Sequence, residues 1–179
     1  MVITVKTLVV YKSSTGFSKK YACIIADGIG CETADFHDVT ADTMANYECV
    51  VYGSRLHAGK VDGLSKAKDM FNKSSAKRFV VFATGGTPNS EKENIDAMWA
   101  NNFSPEELAQ IPHFYCQGGM YYEKMGLVDK TLMKAISTVL KAKKDKDDYE
   151  NGFSQAITGS YDISSEAYAA PIIEYLKSI

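Results

Sequence analysis

The chain has 179 residues, 45% of them hydrophobic and 23% charged, with 20 Lys+Arg against 22 Asp+Glu for a net charge of −2. At this length one core removes roughly 70% of the unfolded chain's surface from water, so a disulfide scaffold and a disordered chain are both excluded, and one domain over residues 1–179 is expected. The mild charge provides no strong basic field for nucleic acid or anionic lipid and no acidic tail for basic partners.

The first predicted strand covers 4–11 around Thr7-Leu8-Val9-Val10-Tyr11. A β-branched and aromatic run without alternation is how a strand buried on both faces of a parallel sheet reads. It leads through Lys12-Ser13-Ser14-Thr15-Gly16-Phe17-Ser18-Lys19-Lys20 into a predicted helix at 17–29, spaced by Tyr21, Ile24 and Ile25. Ser13, Ser14, Thr15 and Ser18 with Gly16 set hydroxyls and the free N–H groups of a first helical turn around one point, where the helix dipole favours negative charge. A phosphate monoester fits such a pocket, and one hydroxyl would have been enough to cap the helix.

A weaker strand follows at 32–38 and a third at 48–53, on Cys49-Val50-Val51-Tyr52. The next loop, Gly53-Ser54-Arg55-Leu56-His57-Ala58-Gly59-Lys60-Val61, is not a nucleotide-triphosphate loop, because five residues separate its glycines and a valine stands where magnesium needs a hydroxyl. It reads instead as backbone flanking a flat group, with Leu56 or His57 placed to cover a ring face. A helix at 61–73, spaced by Leu64, Ala67, Met70 and Phe71, leads to the fourth strand at 77–84, on Phe79-Val80-Val81-Phe82-Ala83. There Thr84-Gly85-Gly86-Thr87-Pro88-Asn89 lets backbone approach a planar ligand.

A helical stretch at 91–101 is followed by Ser104-Pro105-Glu106-Glu107, in which a capping serine, a proline at the first helical position and a glutamate reaching back start a short helix to about Gln110. The fifth strand, 112–117, runs into Gln117-Gly118-Gly119-Met120-Tyr121-Tyr122, whose tyrosines read as packing under the next helix, 129–144. A polar break at 143–152 and a final helix at 165–178, with Ala169, Ile172, Ile173 and Leu176 on one face, complete the chain. Strand, glycine loop and helix in repetition make an α/β domain, a five-stranded parallel sheet covered on both sides.

Cys23, Cys31, Cys49 and Cys116 have neither redox-pair nor zinc-ligand spacing and read as small buried hydrophobes. With no cleavable leader after Tyr11 and no long apolar run, a reducing, cytoplasmic setting and no integral membrane segment are expected.

In a doubly wound sheet, ligands bind beyond the carboxyl ends of the strands, and there the residues resemble a family. Ser13-Ser14-Thr15-Gly16-Phe17-Ser18 resembles the phosphate-binding signature of flavodoxins, between first strand and first helix. Gly53-Ser54 to Gly59 and Thr84-Gly85-Gly86 resemble the two loops that enclose the flavin ring. Within that superfamily, Gly53 to Lys60 and Gly118 to Met125 look most like the branch containing menaquinone-dependent protoporphyrinogen oxidase. The resemblance implies a single-domain, three-layer flavodoxin-like sandwich of strand order 2-1-3-4-5. It also implies FMN, bound by Ser13, Ser14, Thr15, Gly16, Phe17 and Ser18 at the phosphate and by Ser54, Arg55, Leu56, His57, Ala58, Gly59, Thr84, Gly85, Gly86, Thr87, Asn89, Gly118 and Gly119 around the ring.

Carrier flavodoxins commonly cover the ring with Trp and Tyr and are strongly acidic. Here the third loop offers Leu56 and His57, the sole tryptophan, Trp99, falls on a predicted helix, and the charge is mild. The expected function is therefore an FMN-dependent oxidoreductase exchanging electrons with a quinone or similar flat acceptor, or with a redox partner protein. A one-electron carrier and a flavin-free interaction module are the alternatives.

Overall fold

The computed structural model describes residues 5–157 and 159–179. The apolar runs form the strands Thr7–Lys12 (β1), Glu32–Asp35 (β2) and Cys49–His57 (β3), the short Lys60–Val61 (β4), then Arg78–Gly85 (β5) and His113–Gln117 (β6). The sheet has the order β2-β1-β3-β5-β6, parallel throughout, with β4 antiparallel on the end of β3. Setting the hairpin strand aside, this is the expected 2-1-3-4-5 order. The register pairs Leu8 with Glu32 and with Val50, and Val51 with Val80.

Side chains of period two divide the core between the two faces. Leu8, Val10, Val50, Tyr52, Val81 and Ala83 pack on one face with Leu64 and Ala67 of Leu64–Lys73 (α3) and Ile95, Met98 and Trp99 of Lys92–Asn102 (α4). Val9, Val51, Val80, Phe82 and Cys116 pack on the other with Tyr21, Ala22 and Ile25 of Phe17–Ile29 (α1) and Ala169, Ile172 and Leu176 of Glu166–Ser178 (α8). The result is the three-layer sandwich. Ser104 and Glu107 make the expected reciprocal cap on Pro105–Gln110 (α5).

Three local readings change. The strand expected at 32–38 stops at Asp35, whose carboxylate accepts the His37 N–H and turns Phe36–Asp38 into a tight helical turn. One further turn of helix, Ala41–Met44 (α2), is started by a capping box between Thr40 and Thr43. The helix expected from 61 begins at Leu64, because Val61 belongs to the hairpin and Gly63, at φ 75°, breaks the chain before α3. The predicted start of the first strand at residue 4 lies outside the described residues.

The chain divides into two compact units, residues 1–118 with 164–179, and residues 119–163. In the first, the buried Tyr21 hydroxyl donates to the Gln117 carbonyl and accepts the Ser165 N–H at 3.1 Å. In the second, Gly119–Met120 (β7) pairs antiparallel with Tyr161–Asp162 (β8), beside Leu127–Ala142 (α6) and Asp148–Ala156 (α7). Helix α7 begins inside the expected polar break: Asp147 and Glu150 form a capping box, and Lys143 reaches Glu150 at 2.6 Å. A charged run without apolar periodicity conceals that start.

All four cysteines are free. Cys49 and Cys116 are buried as expected, but Cys23 and Cys31 are half-exposed. Burial pushes the Cys49 thiol up to about 11, and burial with the neighbouring Glu32 does the same for Cys31.

Candidate functional site

The chain crosses from β1 to β2 on one side and to β3 on the other, which makes the carboxyl end of β1 the topological switch point. The Ser13 to Ser18 segment sits there. Gly16, at φ 107°, is the N-cap of α1, and no side chain caps that helix. A Cβ at Gly16 would find nothing within 4 Å, so the space beside the uncapped first turn is open, but the left-handed backbone still favours glycine. The Ser13 hydroxyl accepts the Gly16 N–H at 3.1 Å and holds the loop in shape. Ser14 is exposed and Thr15 half-exposed, while Phe17 is buried. Ser18 differs from these: it is 2% exposed, and its hydroxyl shares a 2.9 Å hydrogen bond with Thr84 at the end of β5. The first and third of the predicted loops are thus joined hydroxyl to hydroxyl.

The expected loop after the third strand is a hairpin. β3 continues to His57, pairs Leu56 with Val61 and His57 with Lys60, and turns through Ala58 and Gly59 at φ 49° and 76°, the left-handed pair that a tight two-residue hairpin turn requires. Ser54 is fully buried, its hydroxyl donating to the Lys12 carbonyl at 3.2 Å. Leu56 lies against Gly85, where a Cβ would come within 3.2 Å of Leu56 Cδ1. His57, Ala58 and Gly59 are exposed at the tip. That tip is fastened to the end of α4: Asn102 accepts the Val61 N–H at 2.8 Å and donates to the Gly59 carbonyl at 2.9 Å and the Met98 carbonyl at 2.8 Å, and Lys60 donates to the Asn101 carbonyl. Gly53, whose Cβ would stand 1.9 Å from the Phe82 ring, is a packing glycine of the core.

The loop after β5 is held down on β6. The Tyr115 hydroxyl donates to the Thr87 carbonyl at 2.8 Å. The Asn89 N–H donates to the Gln117 side chain, and the Asn89 side chain accepts the Gln117 N–H, both at 3.0 Å. Gly85 and Gly86 are half-exposed. The Gly85 carbonyl accepts the Gly118 N–H at 2.8 Å, and a Cβ on Gly118 would come within 3.3 Å of Phe17. Phe17, Thr84, Gly85 and Gly118 therefore cluster beyond the ends of β5 and β6. Gly119 belongs to the second unit, as do Tyr121 and Tyr122. The Lys130 ammonium of α6 lies over the Tyr122 ring, 5.7 Å from its centroid.

Sequence reasoning missed a charged cluster in the first unit. Asp62 receives Lys12 at 2.7 Å and lies 3.9 Å from Arg55 Nε, and its backbone carbonyl accepts the Tyr52 hydroxyl at 2.6 Å. Lys12 and Arg55 thus converge on one carboxylate at the ends of β1 and β3. The available signal was Asp62-Gly63, a turn pair that returns the chain toward Lys12.

A family model described as a flavodoxin domain matches residues 8–147. Solved structures similar in fold include an archaeal flavodoxin at 18% identity, covering 96% of this chain and 98% of that one with a TM-score of 0.38. A WrbA-like flavodoxin from Agrobacterium tumefaciens is 13% identical, with 97% and 98% covered and a TM-score of 0.42. The rubredoxin:oxygen oxidoreductase of Desulfovibrio gigas is 12% identical, with 96% of this chain and 36% of that one covered and a TM-score of 0.42. No curated protein matches the sequence. FMN is the cofactor of the matched family, and the donor set at Ser13 to Ser18 fits its phosphate: an uncapped helix start, a left-handed glycine over open space, and short hydroxyl side chains. By a match that spans most of its length, and by the sheet order that match requires, the chain belongs to the flavodoxin-domain family.

Proposed function

We propose that the protein is an FMN-dependent oxidoreductase that exchanges electrons with a quinone or a similarly flat acceptor, related to the branch containing menaquinone-dependent protoporphyrinogen oxidase. The observation that carries this reading is the meeting of the open α1 N-terminus with the Lys12, Arg55 and Asp62 cluster at the same end of the sheet. The N–H groups of the first turn and the hydroxyls of Ser13, Ser14 and Thr15 bind the phosphate. Ser18, tied to Thr84, fixes the distance between that loop and the Gly85-Gly86 backbone. Ser54, Arg55 and Leu56 on the end of β3, with His57, Ala58 and Gly59 on the hairpin, flank the ring on one side. Thr84, Gly85, Gly86, Thr87 and Asn89, with Gly118, flank it on the other. Bound FMN supplies the redox chemistry, and the chain's own part is to hold it and to set its surroundings.

Lys12 and Arg55 at that end of the sheet support an enzyme over a low-potential carrier, because a nearby cation offsets the negative charge that reduction adds. Four free thiols support a reducing, cytoplasmic setting. Among the described residues no helix is long and apolar enough to cross a membrane. The test is anaerobic potentiometry of the FMN-loaded protein with a naphthoquinone as oxidant. Closely spaced potentials and rapid reoxidation by the quinone are expected. Two well-separated one-electron steps without quinone reactivity would make the protein a carrier, and failure to bind any flavin would make it an interaction module.

A further inference from the structure

Helix α6 exposes the wrong residues for a helix of a water-soluble surface. Leu127 is 82% exposed, Val128 78% and Val139 69%. Thr131, Ala135, Thr138 and Ala142 are exposed as well. At about 100° per residue these seven side chains fall within one arc of the helix. Along one edge of that arc stand Lys134 and Lys141, both exposed. The one acidic residue of the helix, Asp129, is half-buried and lies on the far side with Ile136 and Leu140. A whole-chain charge of −2 conceals this: the outward face of α6 is apolar with a positive border.

We propose that this face docks on an anionic lipid surface, with Leu127, Val128 and Val139 entering the headgroup boundary and Lys134 and Lys141 meeting the acidic headgroups. Three features select that occupant. The charges of the face are lysines only, which complement an anionic surface. A second copy is disfavoured, since an antiparallel two-fold pair centred between Lys134 and Ala135 would bring the two Lys134 side chains together. The face also lacks the Trp, Tyr and Arg that anchor protein interfaces, and a convex row of small residues needs no shaped partner when the partner is fluid. At 16 residues the helix is about 24 Å long, short of the roughly 30 Å hydrocarbon core, so it lies on the membrane and does not span it. The proposal stands apart from the quinone reading, because docking requires no electron transfer.

The test is flotation of the full chain with vesicles of phosphatidylcholine containing phosphatidylglycerol, and with phosphatidylcholine alone. The protein is expected to float with the anionic vesicles only, and raising the salt from about 0.1 M should weaken the association. Lys134→Gln with Lys141→Gln should lower partitioning about 25-fold, at about fivefold per lysine. Leu127→Asp with Val128→Asp should abolish it. All four side chains are exposed, so melting temperatures should not move. The proposal is overturned if the protein does not float with anionic vesicles, or if it floats equally well after both paired substitutions. It is also overturned if light scattering shows a dimer that the Leu127 and Val128 pair dissolves.

Discussion

Asn102→Ala tests whether the hairpin is held from outside. The side chain makes three hydrogen bonds, to the Val61 N–H and to the Gly59 and Met98 carbonyls. Val61 is 4% exposed, so its orphaned N–H costs about 1–3 kcal/mol, and the two carbonyls, nearer water, about 0.5–1 kcal/mol each. The expected loss is about 2–5 kcal/mol, which for a chain of this size lowers the melting temperature by roughly 4–20 °C. Circular dichroism reads the melt, and hydrogen exchange reads where it acts: amides at 57–61 should lose protection while those of β1 and β5 keep theirs. FMN affinity should fall, but the preference for FMN over riboflavin should stay, because the phosphate loop is untouched. A melting temperature within a degree of wild type, with protection at 57–61 unchanged, would show that the hairpin stands on its own and that the clamp is incidental.

Thr15→Ala should weaken FMN by about 1.5–3 kcal/mol and riboflavin by much less, as the loss of one charge-assisted hydrogen bond to a phosphate requires; equal losses in fluorescence titrations of the two would remove Thr15 from the phosphate site. Gly53→Ala drives a Cβ into the Phe82 ring and should cost at least about 1–3 kcal/mol in urea unfolding, with Phe82→Leu restoring part of it; an additive double mutant would refute that packing account. The Cys31 and Cys49 thiols, raised to about 11, stay neutral in the fold, so their contribution to stability is complete below the unfolded thiol range near about 8.5. It is lost as pH rises from there through about 11, and stability curves of Cys49→Ala should therefore flatten on the alkaline side. Ser18→Ala, by leaving the buried Thr84 hydroxyl without its partner, should loosen both loops, cost about 1–3 kcal/mol of stability and lower FMN affinity; unchanged affinity would separate the two loops functionally.

Strands β1, β3 and β5 were legible because each carries an unbroken apolar run, and a run buried on both faces needs no tertiary knowledge to recognise; the polar Glu32–Asp35 strand was only weakly marked, and the strand order came from the resemblance to flavodoxins. The Ser104 and Glu107 cap was legible because both partners are local. The hairpin was not: its decisive partner, Asn102, is forty-one residues from Val61, and the residues of its turn, Ala58 and Gly59, read equally well as a flexible loop. Asp62 was hidden for the same reason, since its meaning comes from Lys12, fifty residues away. Helix α7 was missed because its signal is a cap in a charged run, where apolar spacing is silent. At the site, the sequence marked the loops that follow the first, third and fourth parallel strands, which lie at one end of the sheet; that Ser18 spends its hydroxyl on Thr84 follows from the packing of α1 against the sheet.

The tyrosine at position 21 has a consequence beyond stability. Its phenol holds the last residue of β6 and the residue that starts α8, so the point where residues 119–163 depart and the point where they come back are neighbours by construction. The entropic cost of closing a loop between fixed ends grows only with the logarithm of its length, and here the ends are held by one side chain of the first unit. That makes the excursion a socket. An engineer can lengthen, trim or exchange it by cutting at the same two stumps, leaving the sheet as it is.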